Sequence, residues 1–410
     1  MNIKSLLIGS AAALVAVTGA RAADAVMAPE PEPVEYVRVC DAYGAGFFYI
    51  PGTETCLRIS GYVWYQIGAN SYDPVPGLLG QETTPSAGGI LGEGWYKSVR
   101  VRLNIDARSE TEWGTLQSLI RLQSTWNGAN VDGPVGVDQA WISLGGLFMG
   151  YSESFWNDSH SGGASNWGSH SWTGMYYGYQ QRALIGYRFD SNGFFGAISL
   201  EDDALAGEGY LPDVVAKIGY TGGWGTVWAK VAYDESFDGT ISPGYVNGGT
   251  TVNDGGFAAS LGVQLNVPNM PGSNLRVIGY YADGAHSYNV GAPNAFFLST
   301  TQPIYGGAEW SILASYNHQF SETLGASIAF QYFGDLYYAG TDITNLVAGG
   351  DSSPDAWAAE LSVVWFPVTN FEVRGELRYD DIGAYEAGTA FAGTDPDGTV
   401  SGFLRFTRYF

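Results

Sequence analysis

The stretch KSVRVRLNIDAR, residues 97–108, alternates apolar and polar side chains from its third position onward. A repeat of two residues is typical of a β-strand with one face in an apolar environment, and a helix of 3.6 residues per turn does not fit it. NFEVRGELRYD, residues 370–380, shows the same alternation. These patterns predict strands with one apolar and one charged face. In the first stretch Val99, Val101, Leu103, Ile105 and Ala107 oppose Arg100, Arg102, Asn104, Asp106 and Arg108.

Connections between such strands alternate in length along the chain. Short turns such as DSNG (190–193) and PVTN (367–370) contrast with long polar stretches such as 236–254. An even number of strands with short turns on one side and long loops on the other is typical of outer-membrane barrels. The sequence therefore predicts an all-β fold, a 16-stranded antiparallel transmembrane β-barrel with short periplasmic turns and long extracellular loops. The predicted strands are 57–68, 95–109, 114–126, 136–145, 147–153, 180–190, 193–203, 211–221, 223–235, 255–267, 273–284, 308–320, 322–337, 355–367, 369–382 and 398–410.

The first 22 residues have the features of an export signal. Lys4 precedes an apolar run over residues 6–17, and small residues follow at the expected cleavage site. We predict cleavage between Ala22 and Ala23. A retained membrane helix is the alternative, but the run is shorter than the ~20 residues that a span needs. The predicted organisation is a signal peptide (1–22), a periplasmic N-terminal segment with a disulfide loop (23–56) and a transmembrane β-barrel (57–410).

Cys40 and Cys56 are the only cysteines of the chain. Export places them in an oxidising compartment, where a disulfide is the usual outcome. Two sulfur atoms alone make a poor zinc site, and the four histidines show no ligand spacing. The sequence predicts a disulfide, no metal and no other cofactor.

After residue 22, nearly all positive charges fall in the predicted strands, although the formal net charge of the chain is −23. Of the 16 lysines and arginines that follow Ala23, Arg38 alone lies outside a predicted strand. We place fourteen of the others on the polar face and Arg408 with the apolar set. Acidic residues crowd the long loops. This separation favours an arginine-lined lumen over a strand face that merely contacts bulk water, and barrels of ~16 strands enclose an aqueous channel.

Several motifs resemble one known family. The block VEYVRVCDAYGAGFFYIPGTETCLRISGYV (34–63), AWISLGGLFMG (140–150) and the final GFLRFTRYF (402–410) are similar to alphaproteobacterial general porins. The resemblance covers both ends of the chain and reaches the middle through strand motifs, whereas the long loops do not match. It implies a homotrimer in the outer membrane of a Gram-negative bacterium, through which small hydrophilic solutes diffuse passively. It also implies that a third loop, 154–179, folds inward and narrows the pore.

The resemblance and the alternation together suggest site residues. A row of cations facing acidic residues at the narrowest point would set ion preference. The alternative is that these arginines only solvate the wall and pair with neighbours such as Asp106. The final aromatic residue, Phe410, is predicted to act as an assembly signal, although Arg408 departs from the apolar residue that the family usually has nearby. Predicted constriction residues are Arg100, Arg102, Arg121, Arg182, Glu153 and Asp158, and predicted lumen-lining residues are Arg58, Asp106, Arg374 and Arg378.

Three other functions are weaker alternatives. A substrate-selective channel, for example for a sugar, would need an aromatic ladder that the sequence does not show. A secreted carbohydrate-binding β protein would account for the Trp- and Gly-rich loops. Catalysis is not predicted, because GxSxG is absent and DPDGT (395–399) lacks the remaining ligands of a calcium loop. We expect no nucleic-acid partner, and acidic loops that can bridge to lipopolysaccharide through divalent cations.

Overall fold

The computed structural model describes residues 38–71, 94–126, 133–156, 175, 179–202, 211–235, 255–283, 287–290, 304–339, 355–382 and 398–410. A two-residue strand, β1 (Phe48–Tyr49), precedes sixteen longer ones. All neighbours pair antiparallel. The longer strands are β2 (Cys56–Asn70), β3 (Gly94–Thr111), β4 (Gly114–Trp126), β5 (Gly136–Leu144), β6 (Leu147–Glu153), β7 (Gln181–Ser191), β8 (Phe194–Asp202), β9 (Asp213–Gly222), β10 (Gly225–Asp234), β11 (Gly256–Asn266), β12 (Asn274–Ala282), β13 (Ile304–Gln319), β14 (Leu324–Ala339), β15 (Ala356–Val368), β16 (Phe371–Ile382) and β17 (Thr399–Tyr409).

The sheet closes on itself because β17 pairs with β2. The register of this pair runs from Tyr409 opposite Tyr62 to Ser401 opposite Asn70. Closure gives each of the sixteen longer strands described above two neighbours, and an unpaired edge in hydrocarbon would cost several kcal/mol per backbone group. Among the described residues, no helix is both long and apolar enough to cross a membrane. The prediction of a closed 16-stranded antiparallel barrel is confirmed.

The outer face of the barrel is apolar and exposed. Such a continuous apolar band is too large for the surface of a soluble protein and fits a lipid environment. It therefore argues against a secreted soluble β protein. Members of this band that are more than 40% exposed include Val63, Ile67, Ile120, Ile142, Ile185, Ile198, Ile218, Leu261, Ile312, Ile328, Leu361 and Leu377.

The inner face carries most of the positive charge, with one correction to the sequence-based assignment. Lys97 precedes the buried Ser98 and lies on the outer face, where its ammonium group is 5.4 Å from the ring centre of the exposed Trp95. Alternation counted from Val99 would have placed it there. Arg408 also points outward, as predicted, and donates to the carbonyl oxygens of Thr369 and Asn370.

A two-residue turn joins β7 to β8. Asn192 and Gly193 both have positive φ, 53° and 83°. This is the backbone that an Asn-Gly pair favours, because its twist matches that of the two flanking strands. The short turn predicted at 190–193 thus follows from local sequence.

The N-terminal segment packs into the short-turn end of the barrel. Cys40 and Cys56 form the predicted disulfide, and both are buried with Phe47. The ring of Phe47 lies between two guanidinium groups of the inner face, 4.7 Å from Arg58 and 5.0 Å from Arg108. The disulfide therefore holds an aromatic side chain in the barrel mouth where β2 begins.

Removing the disulfide should release this segment without opening the barrel. We expect a Cys40→Ser/Cys56→Ser variant to lose about 3 kcal/mol of local stability, as the loop-entropy model gives for a ~15-residue loop. Limited proteolysis should then cut between residues 41 and 55, while the barrel keeps its heat-resistant mobility on a gel. Equal protease resistance with and without the disulfide would contradict this.

Candidate functional site

The lumen side of β16, β17 and β2 to β4 forms an arginine-rich wall. Each of these strands contributes at least one inward-facing basic or aromatic residue at mid-height. At the short-turn end, Asp106 accepts hydrogen bonds from Arg58 (3.3 Å), Arg108 (2.7 Å) and Gln117 (3.0 Å). On β16, Arg374 binds Glu372 and Glu376, and Arg378 binds Asp380. Arg58, Asp106, Arg374 and Arg378 thus lie on the inner face of the sheet, and their role in lining a lumen stays a prediction.

Two of the predicted constriction residues meet an acid that the sequence did not suggest. Arg102 and Arg121 lie 3.6 and 3.7 Å from the same Asp138 carboxylate oxygen. Arg102 also donates to Gln123, and Arg121 to Asn104. One carboxylate between two guanidinium groups leaves this cluster of three side chains with one net positive charge.

A β-bulge explains why Asp138 faces inward. The register between β4 and β5 shifts after Arg121, which pairs with Gln139, while Leu122 pairs with Val137. The extra residue is Asp138, and a bulge re-aims the side chain of the residue that it inserts. Strict alternation would have put Asp138 and the buried Gln139 on opposite faces.

Tyr179, at the root of β7, reports the electrostatics of this region. Its side chain is half exposed. Loss of hydration around its hydroxyl group raises the pKa of the phenol, and the carboxylates of Glu153 and Asp138 raise that pKa further. Arg102 and Arg121 oppose that rise in pKa. All four charged residues therefore lie within electrostatic range of Tyr179.

The described ends of the predicted inward loop lie inside the barrel. Phe155, Trp156 and Met175 are at most 2% exposed and belong to one buried cluster with inner-face residues such as Val215 and Trp228. Asp158 and most of 154–179 fall outside the described residues.

Three carboxylates at the long-loop ends of β8, β9 and β10, here called the acid anchor, contact the start of this loop and the segment 287–290. They are Glu201, Asp213 and Asp234. The backbone N–H of Phe155 donates to Glu201 at 2.9 Å. Lys230, also on β10, donates to the Trp156 carbonyl oxygen. Both contacts fix the start of the loop against the wall.

The segment 287–290, between β12 and β13, binds the other two carboxylates of the acid anchor. The backbone N–H of Ser287 donates to Asp234 at 2.8 Å, and the Tyr288 hydroxyl donates to Asp213 at 2.9 Å. Burial raises the pKa of Tyr288 well above its usual value, and Glu201 and Asp213 raise it further. The hydroxyl thus stays protonated and available as a donor.

Arg182 lies beside the acid anchor, within electrostatic range of Asp213. Its side chain is fully buried, donates to Gln180 at 2.9 Å and lies 5.6 Å from the ring centre of Tyr288. Its charge acts on Asp213 and Tyr288. Alternation correctly gave Arg182 an inner-face position but could not show that other residues cover it.

No group of three or more His, Cys, Asp or Glu side chains among the described residues is arranged to hold a metal ion. The charged wall presents hydrogen-bond donors and acceptors on the inner face of the barrel.

Comparison with known proteins places this geometry in a family. A family model described as "Porin subfamily" matches residues 24–402. The chain belongs to the porin family. Porin Omp2b of Brucella suis is 43% identical over 268 residues, which cover 57% of this chain and 66% of that relative. Porin Omp2b of Brucella melitensis is 42% identical over the same extent. The aligned part thus spans 66% of these relatives' length.

Solved structures of low sequence identity support the fold. The outer membrane channel DcaP of Acinetobacter baumannii superposes with a TM-score of 0.60 at 14% identity, over 88% of this chain and 99% of that one. The anion-selective porin from Comamonas acidovorans superposes with a TM-score of 0.54 at 13% identity, over 87% of this chain and 100% of that one. Family membership and the closed barrel indicate an outer-membrane protein of a Gram-negative bacterium.

Proposed function

We propose that the chain forms a water-filled channel for passive diffusion of small hydrophilic solutes and ions across the outer membrane. The observation that carries this proposal is the closed sixteen-stranded sheet with an arginine-rich inner wall. A barrel of this size encloses more space than side chains alone fill. Membership in the porin family supports the same function.

We further propose that the narrowest part is framed by Arg102 and Arg121 on one side and by Glu153 with the inward loop on the other. Asp138 contacts both arginines, and Tyr179 lies within electrostatic range of all four charged residues. Arg100 extends the positive row on β3. Opposed charges across a narrow opening orient dipolar solutes and disfavour apolar ones, which lose hydration without compensation. Arg182 serves this opening indirectly, because it supports the anchor of the loop, and Asp158 stays a predicted contributor.

A channel dedicated to one sugar is the second candidate, and the inner wall does not favour it. A sugar path needs aromatic faces open to the lumen. The mid-height Trp64 is only 4% exposed, and the guanidinium groups of Arg100 and Arg405 lie over its ring. We propose no catalytic activity and no cofactor.

The mature assembly is proposed to be a homotrimer of chains that begin at Ala23 after removal of residues 1–22. Phe410 is half exposed on the outer face, and its backbone pairs with Gly61 on β2. This position suits an assembly signal, because Phe410 pairs with the strand that closes the barrel. Acidic loops that bind lipopolysaccharide through divalent cations complete the proposal. Trimers whose stability is unaffected by a chelator would argue against that last part.

Refolded protein in planar bilayers tests the channel. We expect stepwise, ohmic conductance in KCl, and swelling of proteoliposomes in small sugars and amino acids at rates that fall smoothly with solute size. The physical reason is that a wide aqueous lumen sieves by size without a tight binding step. Absence of conductance from correctly folded barrels would refute the channel, and a steep preference for one sugar would favour the dedicated alternative.

A further inference from the structure

Two arginines of the inner wall, Arg100 on β3 and Arg405 on β17, have no carboxylate within 4.0 Å among the described residues. Their neighbours on the same wall differ in this respect. A carboxylate partner is present for Arg58, Arg102, Arg108, Arg121, Arg374 and Arg378. The two unpaired guanidinium groups therefore form a distinct part of the wall.

Both guanidinium groups lie over one indole ring. The Cζ atom of Arg100 is 5.3 Å from the ring centre of Trp64, and that of Arg405 is 4.7 Å from it. Arg405 also lies 4.6 Å from the ring centre of Phe403. Aromatic faces attract guanidinium groups and fix their planes. The two side chains are thus held in defined positions by apolar contacts instead of by acids.

Neutral oxygens supply the remaining contacts of these arginines. Arg100 Nε donates to Thr125 Oγ1 at 2.9 Å. Arg405 donates from Nε and from a terminal nitrogen to Gln66 Oε1, at 2.8 and 2.6 Å. Gln66 is oriented in turn by its amide, which donates to the Tyr96 hydroxyl at 3.2 Å. Since a guanidinium group has five N–H donors, most donors of both side chains remain for another acceptor.

The nearby acids balance the positive charge at this place only in part. Glu376 attracts the charge of Arg405, whereas Arg374 and Arg100 repel it. The acids of β16, Glu372 and Glu376, bind Arg374 at 2.9 and 3.6 Å. An anion between Arg100 and Arg405 would relieve the repulsion between the two guanidinium groups and accept hydrogen bonds from their remaining N–H groups. Oxyanions with several charged oxygens fit best, because guanidinium forks bind them in pairs of hydrogen bonds.

We propose that Arg100 and Arg405, supported by Trp64, form a binding site for small multivalent oxyanions of the phosphate type. Passage of such solutes is then saturable, whereas that of chloride is not. This inference rests on the proposed channel for its transport consequence, but the binding itself does not.

Inorganic phosphate is the probe, in two independent measurements at constant ionic strength. In bilayers, phosphate added to KCl should reduce the single-channel current in a saturable way. Calorimetry on the detergent-solubilised barrel should give the same dissociation constant. We expect Arg100→Gln and Arg405→Gln each to raise that constant at least tenfold. Arg405→Lys should restore part of the affinity, because it keeps the charge and loses the fork.

Arg108→Gln is the matched control, since this inner-face arginine is already bound to Asp106 at 2.7 Å. It should change phosphate affinity less than twofold. Unsaturable block, or equal losses in Arg108→Gln and Arg405→Gln, would mean general attraction by the positive lumen and would overturn the site. A barrel that conducts KCl but does not bind phosphate refutes the site alone. A barrel that binds phosphate in detergent but does not conduct refutes the channel alone.

Discussion

Replacing Arg102 and Arg121 together by glutamine is expected to move the anion-to-cation permeability ratio about fivefold toward cations, in a channel that still conducts. An ion that passes ~8 Å from a unit charge gains or loses about 0.5 kcal/mol in water. Screening at ~0.1 M salt roughly halves this value. Two charges thus shift the energies of anion and cation by about 0.5 kcal/mol each, in opposite directions. The zero-current potential in a KCl gradient measures the ratio.

Asp138→Asn provides the opposite test at the same place. Removing the one carboxylate between the two guanidinium groups, 3.6 and 3.7 Å away, should shift the ratio about twofold toward anions. Both shifts should shrink at ~1 M salt, where the screening length is about 3 Å. Arg58→Gln is the control, because it removes a positive charge at the short-turn end of the barrel, beside Asp106. An unchanged zero-current potential in Arg102→Gln/Arg121→Gln would remove these residues from the constriction.

The alternation of apolar and polar residues was sufficient to predict the strands, because a strand between lipid and water shows its two faces directly in the sequence. The predicted 114–126 and 147–153 match β4 and β6 at both ends. The predicted strand 308–320 begins four residues late, since β13 starts at Ile304, where polar and apolar residues no longer alternate.

The alternation of apolar and polar residues does not predict β-bulges, which break the two-residue repeat. It also does not predict contacts between residues that are far apart in the sequence. Asp138 lies in a bulge, and we find no pattern in the sequence of residues 136–144 that predicts the shift of register. Tyr288 reaches Asp213 across 75 positions of sequence. That contact depends on barrel closure and on the path of a long connection, neither of which alternation specifies. The site is therefore predictable as a charged face, but its pairings are not.

Truncation of the acid anchor by Glu201→Ala is expected to leave the barrel intact while the inward loop loses its fixed position. Glu201 accepts from the Phe155 backbone at 2.9 Å and from the Ser199 hydroxyl at 2.6 Å, and it is 1% exposed. Loss of a buried charged acceptor leaves two donors unsatisfied and costs about 2–4 kcal/mol. The strand ladders of β8 and β9 do not involve this side chain, so the cost falls on the loop.

Single-channel recording and proteolysis should show the released loop. We expect a larger mean conductance, frequent transitions between current levels and new cleavage after Trp156, whereas the wild-type current stays quiet. Glu201→Gln should restore most of the wild-type behaviour, because the amide oxygen still accepts from the Phe155 N–H. Tyr288→Phe should give a milder form of the defect, since it removes only the donor to Asp213. Tyr316→Phe, which removes a hydroxyl bound to His318 on β13, should have no effect. Quiet currents and a wild-type cleavage pattern in Glu201→Ala would mean that the loop is held in place by the apolar contacts of Phe155 and Trp156, and that the carboxylates of the acid anchor are not required.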